Sequence, residues 1–328
     1  MVSEAEHEQR RGQGEGDRRL ALAPWVAGAQ ALRLRSIEID AQVTRPLQLG
    51  SPACAVLRGL LGERLRDLRC LTRAPSCEGC TERARCDYAR VMEAGAAQRN
   101  GRTGAGEAGA TPPLWLQGMS AGEELAAGER LTARLVFGGD AAPVLPYLDV
   151  ALRDALGRLG LSPIVRGPGP LALSATRLGD PGWPESGAGA GARGWRIRTR
   201  TPLLLRADPA RLAIDCPASP FLALLLRAGV RRLALLREGL GAERALPRAL
   251  FPDLRGVRRR SGAMQAWSGS RYSRRQGQRM PLEGISGEVE LEGDALAEMA
   301  PLLAVLPLVS VGKMTALGFG WIEAEPLG

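Results

Sequence analysis

The chain has 328 residues, and 44 basic against 35 acidic side chains give it a net charge of +9 and an isoelectric point near 10.0. This length favours two domains over one, and the basic balance favours an acidic partner such as RNA, DNA or anionic lipid. No apolar run reaches the roughly 18 residues of a membrane span, and the amino terminus lacks the apolar core of a signal peptide, so we expect a soluble, cytoplasmic protein without membrane partners.

Low-complexity stretches divide the chain into three parts. Residues 1–30 are predicted to be a flexible N-terminal tail, which contains the only histidine, His7. Stretches rich in glycine and alanine at residues 93–113 and 179–194 are predicted loops or linkers. The expected boundaries are an N-terminal domain at residues 31–180, with a Cys-rich insertion at about residues 69–113, and a C-terminal domain at residues 195–328.

The N-terminal domain begins with a strand, because polar and apolar residues alternate over residues 32–39. The helix predicted next has an apolar face of Val56, Leu57, Leu60, Leu61, Leu65 and Leu68. After the cysteines we predict a strand at residues 131–137, a helix at 145–159 and a closing strand near 171–175.

The C-terminal domain repeats this order. Strict alternation predicts a strand at residues 195–201, and a Leu-rich helix follows at 221–236. A strand at residues 285–291, a helix at 295–306 and a last strand at 317–324 complete it. Strand, helix, strands, helix and strand, twice over, predict the α+β class with two tandem ferredoxin-like (RRM-like) domains.

Four cysteines, Cys70, Cys77, Cys80 and Cys86, lie in one loop after the first predicted helix. Their C-x(6)-C-x(2)-C-x(5)-C spacing suits a tetrahedral ion, so we predict a structural zinc site in the insertion of the first domain. An iron–sulfur cluster uses the same ligands, and reduced, partly buried thiols are the alternative without a metal. The isolated Cys54 and Cys216 are expected to be ordinary small apolar residues.

The segment from Arg255 to Arg279 is the most one-sided part of the chain, with eight arginines, Trp267, Tyr272 and no acidic residue. Guanidinium groups can bind phosphates in a forked geometry and aromatic faces can stack on bases, a combination expected for RNA recognition. The alternative is a solvated basic loop that Trp267 anchors to the core.

A glycine loop, residues 311–321, follows and holds the only lysine of the chain, Lys313, among Gly312, Gly318 and Gly320. Glycine permits positive φ and close approach, so the amides of this loop are expected to meet a polyanion. No Ser or Thr directly follows the lysine, which argues against nucleoside triphosphate chemistry. We expect the loop and the basic segment to converge on one cationic surface.

These pieces in this order resemble the CRISPR precursor-RNA-processing endoribonucleases of the RAMP superfamily, in the subgroup with a Cys-rich insertion. The matching motifs run from about residue 32 to the carboxyl terminus. They are Leu57-Arg58-Gly59-Leu60-Leu61-Gly62, Cys77-Glu78-Gly79-Cys80, Arg271-Tyr272-Ser273-Arg274-Arg275-Gln276 and Gly284-Ile285-Ser286-Gly287, followed by the glycine loop.

The resemblance implies an antiviral-defence endoribonuclease that binds CRISPR repeat RNA or crRNA, with other CRISPR effector subunits as further partners. It implies metal-independent attack of a ribose 2′-hydroxyl that leaves a 2′,3′-cyclic phosphate, so zinc would be structural only. Many members use a histidine near the first helix, but residues 54–68 contain none.

The remaining catalytic candidates are Tyr272 and Lys313, for which a pure binding role is an equal alternative. The predicted RNA-binding residues are Arg58, Arg64, Arg258, Arg259, Arg260, Trp267, Arg271, Arg274, Arg275, Gly312, Gly318 and Gly320. Two other functions are considered: a catalytically inactive crRNA-binding subunit of an effector complex, and a DNA-binding zinc-ribbon regulator.

Overall fold

The structure is a computed structural model with two main antiparallel sheets, each covered by helices on one face, and a small two-stranded sheet. It describes residues 22–48, 53–75, 77, 79–83, 85–93, 112–118, 124–138, 144–163, 176–179, 182–185, 187–209, 212, 218–239, 252–273 and 277–328. Among the described helices, none combines the length and the apolar character needed to span a bilayer.

The N-terminal sheet has the strand order β3-β5-β1-β6, and β7 also pairs with β1. Helices α2 and α4 cover one face, where alternate residues of β1 pack against Leu57, Leu61 and Leu65 of α2. The strands and helices are β1 (Arg35–Val43), α2 (Ala53–Arg69), β3 (Leu114–Gly118), β5 (Arg130–Phe137), α4 (Leu145–Leu159), β6 (Leu161–Pro163) and β7 (Thr176–Gly179). The insertions between them carry β2 (Leu47–Gln48), α3 (Asp87–Met92) and β4 (Glu124–Leu125), and β2 pairs with β4.

The C-terminal sheet has the order β11-β8-β10-β9, so β9 is an edge strand. Its elements are β8 (Gly194–Thr199), α5 (Ala218–Gly239), β9 (Arg258–Ser273), β10 (Gln278–Glu292), α6 (Ala295–Val309) and β11 (Ile322–Pro326). In both sheets the first strand lies between the third and the fourth, which is the ferredoxin-like arrangement of a β-α-β-β-α-β unit. The predicted mixed α and β class is therefore confirmed.

The basic segment contains a strand that was not predicted: residues 258–273 form β9, and Gln278 and Arg279 begin β10. Strand β3, at the edge of the first sheet before the strand predicted at residues 131–137, was not predicted either. The same holds for the short strands β2, β4 and β6. The closing strand expected near residues 171–175 lies outside the described residues, and β6 and β7 flank that gap.

The amino-terminal part of the described chain corrects the predicted tail. Helix α1 (Leu22–Ala27) and the 3-10 turn Gly28–Leu32 are ordered, and Trp25 is only 2% exposed within the core of the C-terminal domain. The prediction of a flexible tail is therefore wrong for residues 22–30, because Leu22, Trp25 and Val26 of α1 are buried in the same core as residues of α5 and α6. Residues 1–21 lie outside the described part.

Candidate nucleic-acid interface

The glycine loop packs against the middle of the β9–β10 hairpin. Phe319 is buried, and its ring centroid lies 5.8 Å from that of Trp267 on β9. Leu204 and Leu282 complete this small apolar cluster, which Met314 and Leu317 of the loop also contact. The predicted convergence of the loop and the basic segment is therefore observed, and Trp267 anchors the hairpin to the loop.

Gly318 and Gly320 are required by close packing inside the protein. A Cβ on Gly320, where φ is +73°, would lie 1.7 Å from the carbonyl oxygen of Val311. A Cβ on Gly318, where φ is +93°, would lie 2.7 Å from Cβ of Cys54 on α2. The loop is thus wedged between the two domains, and its glycines have a structural reason that does not involve a ligand.

Several amides of the glycine loop already have acceptors within the protein. The amides of Lys313, Gly318 and Gly320 donate to the carbonyl oxygens of Leu204, Thr315 and Pro202 at 2.8, 3.0 and 2.9 Å. These three amides cannot also donate to a phosphate, which corrects the expectation drawn from the glycine content. The side chain of Lys313 is exposed, and the RNA contacts predicted for Gly312, Gly318 and Gly320 stay predictions.

The arginines at the hairpin base, residues 258–262 of β9 and 288–292 of β10, lie beside glutamates. Arg258 Nε lies 3.0 Å from Glu292 Oε1, and Ser261 Oγ donates to Glu290 Oε2 at 2.7 Å. Arg259 pairs with Leu291, and Arg260 lies at the register shift between the partners of Glu290 and Leu291. The absence of acidic residues from the segment therefore does not leave Arg258 without a counter-charge, because β10 supplies Glu292.

The hairpin tip, residues 269–273 of β9 and 277–281 of β10, has a different charge environment. Arg271 Nη2 donates to Met280 Sδ at 3.4 Å and Arg279 Nη1 donates to Ser270 Oγ at 3.2 Å. Among the described ion pairs of the chain, none joins either arginine to a carboxylate. Tyr272 is 54% exposed beside them. Arg274 and Arg275 lie outside the described residues.

Tyr272 and Lys313 do not share a face of the hairpin. Side chains alternate along a strand, and the register of β9 with β10 is regular from Gly262 to Ser273. Met264 packs into the helix-covered core, so Tyr272 belongs to that face, whereas Trp267 and Arg271 point to the face of the glycine loop. Arg271 is therefore the tip residue on the same face as the loop of Lys313.

Arg58 and Arg64, two predicted RNA-binding residues, are engaged within the N-terminal domain. Arg58 Nη2 donates to the carbonyl oxygen of Met92 at 3.2 Å, and burial lowers the pKa of its guanidinium. Arg64 Nε lies 3.8 Å from Asp154 Oδ2 of α4. The structure thus does not bring these two side chains together with the hairpin tip, and their RNA contacts stay predictions.

The Cys-rich loop is tied to α2 by arginine contacts. Arg66 donates to the carbonyl oxygen of Ala74, and Arg69 binds Asp87 at the start of α3. The hydroxyl of Thr72 lies 3.4 Å from Sγ of Cys80 and 3.9 Å from Sγ of Cys70, so two of the four thiols meet there. Four thiols suit zinc chemically, but within the described ranges no three cysteine, histidine or acidic side chains come together, so zinc stays a prediction.

A known family model matches the part of the chain that holds the hairpin and the glycine loop. Residues 197–322 match the family model of the CRISPR-associated endoribonuclease Cas6. A second family model, described as an N-terminal domain, matches residues 32–181. The Cas6 match therefore covers the C-terminal sheet from β8 to the start of β11.

The solved structures that match the chain are distant in sequence. A Cas6 product complex is 15% identical and covers 90% of this chain and 100% of its own, with a TM-score of 0.43. Thermus thermophilus Cas6 is also 15% identical and covers 90% of this chain and 98% of its own, with a TM-score of 0.42. The product of a Cas6-related gene from Pyrococcus furiosus is 8% identical and covers 89% of this chain and 98% of its own, with a TM-score of 0.42. No curated protein sequence matches the chain.

Proposed function

Since residues 197–322 form a domain of the Cas6 family of CRISPR-associated endoribonucleases, we propose that this protein binds CRISPR repeat RNA and cleaves precursor crRNA. One observation carries the proposal beyond the family match: the loop of the single lysine packs on the hairpin that holds Trp267 and Arg271. The loop of Lys313 and the face of β9 that carries Arg271 thereby belong to one surface of this domain. Other CRISPR effector subunits are proposed as further partners.

The proposed chemistry is internal transesterification. The ribose 2′-oxygen attacks the adjacent phosphorus, the bond from phosphorus to the 5′-oxygen breaks, and the 2′-hydroxyl proton is lost while the leaving oxygen gains one. The products are a 2′,3′-cyclic phosphate and a 5′-hydroxyl end. Lys313 would hold the negative charge that develops on the phosphoryl oxygens, and Arg271 would bind a neighbouring phosphate on the same face.

Tyr272 takes a different role in this proposal. Because it lies on the opposite face of the hairpin from the loop, it cannot act with Lys313 on one phosphate through that face. Its exposed ring offers a stacking surface for a base next to the tip arginines. The catalytic role predicted for Tyr272 is therefore replaced here by a binding role.

A catalytically inactive crRNA-binding subunit is the second candidate. The sequence favours this candidate, because His7 is the only histidine in 328 residues and helix α2, near which many family members carry a histidine, has none. Such a protein would need only the arginines, Trp267 and Tyr272.

Incubation of the full chain with a repeat RNA in EDTA separates the two candidates. The enzyme yields a product that ends in a cyclic phosphate, and the same RNA with a 2′-deoxyribose at the scissile nucleotide stays intact although it binds. Binding without cleavage of the all-ribose RNA removes the enzyme proposal.

A Lys313→Ala substitution tests the role of the lysine. We expect the cleavage rate constant to fall more than the affinity for the uncleavable RNA, since the charge acts mainly in the transition state. The control is Arg255→Ala, which removes an exposed cation that binds Asp253 and leaves the loop untouched. Equal losses of cleavage and affinity would mean that Lys313 is only a phosphate contact.

We further propose that the four cysteines hold one structural zinc ion. Elemental analysis should find zinc in the purified chain, and replacing all four cysteines by serine should remove the metal and lower thermal stability, with RNA affinity following only indirectly. If the serine variant stays folded but loses nucleic-acid binding, the DNA-binding zinc-ribbon function would be favoured instead.

A further inference from the structure

The last carbonyls of α6, directly before the glycine loop, accept hydrogen bonds from side chains of other elements. A helix leaves the carbonyls of its last turn without partners in its own backbone. Here Gln117 Nε2 donates to the carbonyl oxygens of Pro307 and Leu308, each at 2.8 Å. Arg232 of α5 donates through Nε to Val309 O at 3.0 Å, and Trp115 Nε1 to Leu308 O at 3.3 Å.

The same glutamine reaches the residue that turns the chain from α6 into the glycine loop. Ser310 is fully buried with φ +55° and ψ +154°, a conformation that residues other than glycine rarely adopt. Its hydroxyl lies 3.3 Å from Gln117 Nε2. An unusual backbone conformation persists only where its surroundings impose it, and Gln117 is the polar group that meets Ser310 here.

The N-terminal domain also contacts the loop, at two separate points. Gln117 lies on β3 and is 1% exposed, and Trp115 on the same strand packs beneath the Arg232 guanidinium at 4.8 Å. At the far end of the loop, Gly318 lies against Cys54 of α2. The first domain therefore holds the loop at both ends, while Val311 and Gly320 close it through a 2.8 Å backbone bond.

We propose that Gln117 is a positioning residue that fixes the glycine loop, and with it Lys313, from the N-terminal domain. The inference rests on the proposed function, in which Lys313 contacts the scissile phosphate. Gln117 itself touches no RNA in this arrangement. It acts through Ser310 and the end of α6, three residues before the lysine.

The experiment uses the full chain and its single lysine as a probe. Reductive methylation with 13C-formaldehyde labels only Lys313 and the α-amino group, and it preserves the positive charge. The test variant is Gln117→Met, which keeps the side-chain length and removes the amide. The matched control is Gln42→Met on β1, whose Nε2 donates to Gly128 O at 3.2 Å, away from the loop.

We expect the dimethyl-Lys313 resonance of Gln117→Met to shift or broaden, and its single-turnover cleavage rate to fall at least tenfold with RNA affinity within threefold of wild type. Gln42→Met should match wild type in both measurements. An unchanged resonance in folded Gln117→Met overturns the proposal, and so does a changed resonance with a wild-type cleavage rate.

If the wild-type protein does not cleave RNA, the positioning role of Gln117 and the nuclease function can still be judged separately. A shifted resonance would then support positioning of the loop while the proposed nuclease function fails. If Gln117→Met does not fold, Ser310→Ala removes one acceptor of the same amide and should shift the resonance in the same direction by a smaller amount. An unshifted resonance in Ser310→Ala would then overturn the proposal.

Discussion

Replacing Gly320 by alanine should destabilise the protein severely, because the added methyl group has no space. Its Cβ would lie 1.7 Å from Val311 O, a backbone atom that cannot turn away as a flexible side chain can. The positive φ of 73° adds about 1–2 kcal/mol for an L-residue with a Cβ. The loop must therefore open at this point.

The opening breaks two short hydrogen bonds. Val311 N donates to Gly320 O at 2.8 Å and Gly320 N donates to Pro202 O at 2.9 Å, and buried groups left unpaired cost roughly 1–3 kcal/mol each. Together with the strain, we expect a loss of about 3–8 kcal/mol, at the upper end of single substitutions. At roughly 2–4 °C per kcal/mol, Tm should fall by about 6 °C or more.

The control is the same substitution at Gly157 in α4, where no heavy atom lies within 4 Å of the added Cβ. Alanine is the better helix former, so Gly157→Ala should raise stability by about 0.5–1 kcal/mol. Differential scanning calorimetry of both variants checks the prediction. A Tm of Gly320→Ala within about 2 °C of wild type would correspond to a loss of no more than about 1 kcal/mol. Such a result would mean that the close approach of Val311 and Gly320 does not exist in solution.

Three further predictions concern the same region. Burial raises the pKa of the Cys54 thiol to about 12 from its ordinary 9.0, so its contribution to stability is complete below pH 9 and is lost as the pH rises towards 12. In urea titrations between pH 9 and 11, Cys54→Ala should therefore lose less stability than wild type, by up to about 1.4 kcal/mol per pH unit, and parallel curves would contradict this. If the proposed function holds, Arg271→Gln should lower the salt dependence of repeat-RNA binding by about one phosphate contact, while Arg258→Gln should change it little because Arg258 already pairs with a glutamate. Trp267→Leu should cost about 0.5–1.5 kcal/mol beyond its lost buried area through the missing ring contact with Phe319, and an unchanged Tm would refute that contact.

Elements with one buried face could be predicted from the sequence. Helix α4 has the same bounds in prediction and structure, because leucines and alanines repeat at helical spacing and Gly160 ends it with φ +81°. Strand β3 could not be predicted by alternation, because all five residues are buried. Helices cover one of its faces and the C-terminal domain covers the other, so no polar side alternates with an apolar one.

Elements that depend on partners distant in sequence could not be predicted either. Helix α1 has only six residues, too few to be stable alone, and it is held by burial of Trp25 against the C-terminal core. Gln117 carried no sequence signal because its strand was not predicted and its partners lie about 190 residues away. The glycines of the loop are evident in the sequence, but the close contacts that require Gly318 and Gly320, with Cys54 and Val311, are not.

The hairpin shows why the charges counted in one sequence segment do not give the charge of the surface that the segment forms. Residues 255–279 contain no acid, yet β9 pairs along its length with β10, and Glu288, Glu290 and Glu292 of β10 lie near the base. Cation and carboxylate a few ångströms apart largely cancel at the distance of a bound polyanion. Arg271 and Arg279 at the tip bond neutral atoms instead, so their field extends outward. If the proposed function holds, we therefore expect a phosphate chain to lie from the tip towards the exposed Lys313, along the face that Arg271 shares with the glycine loop.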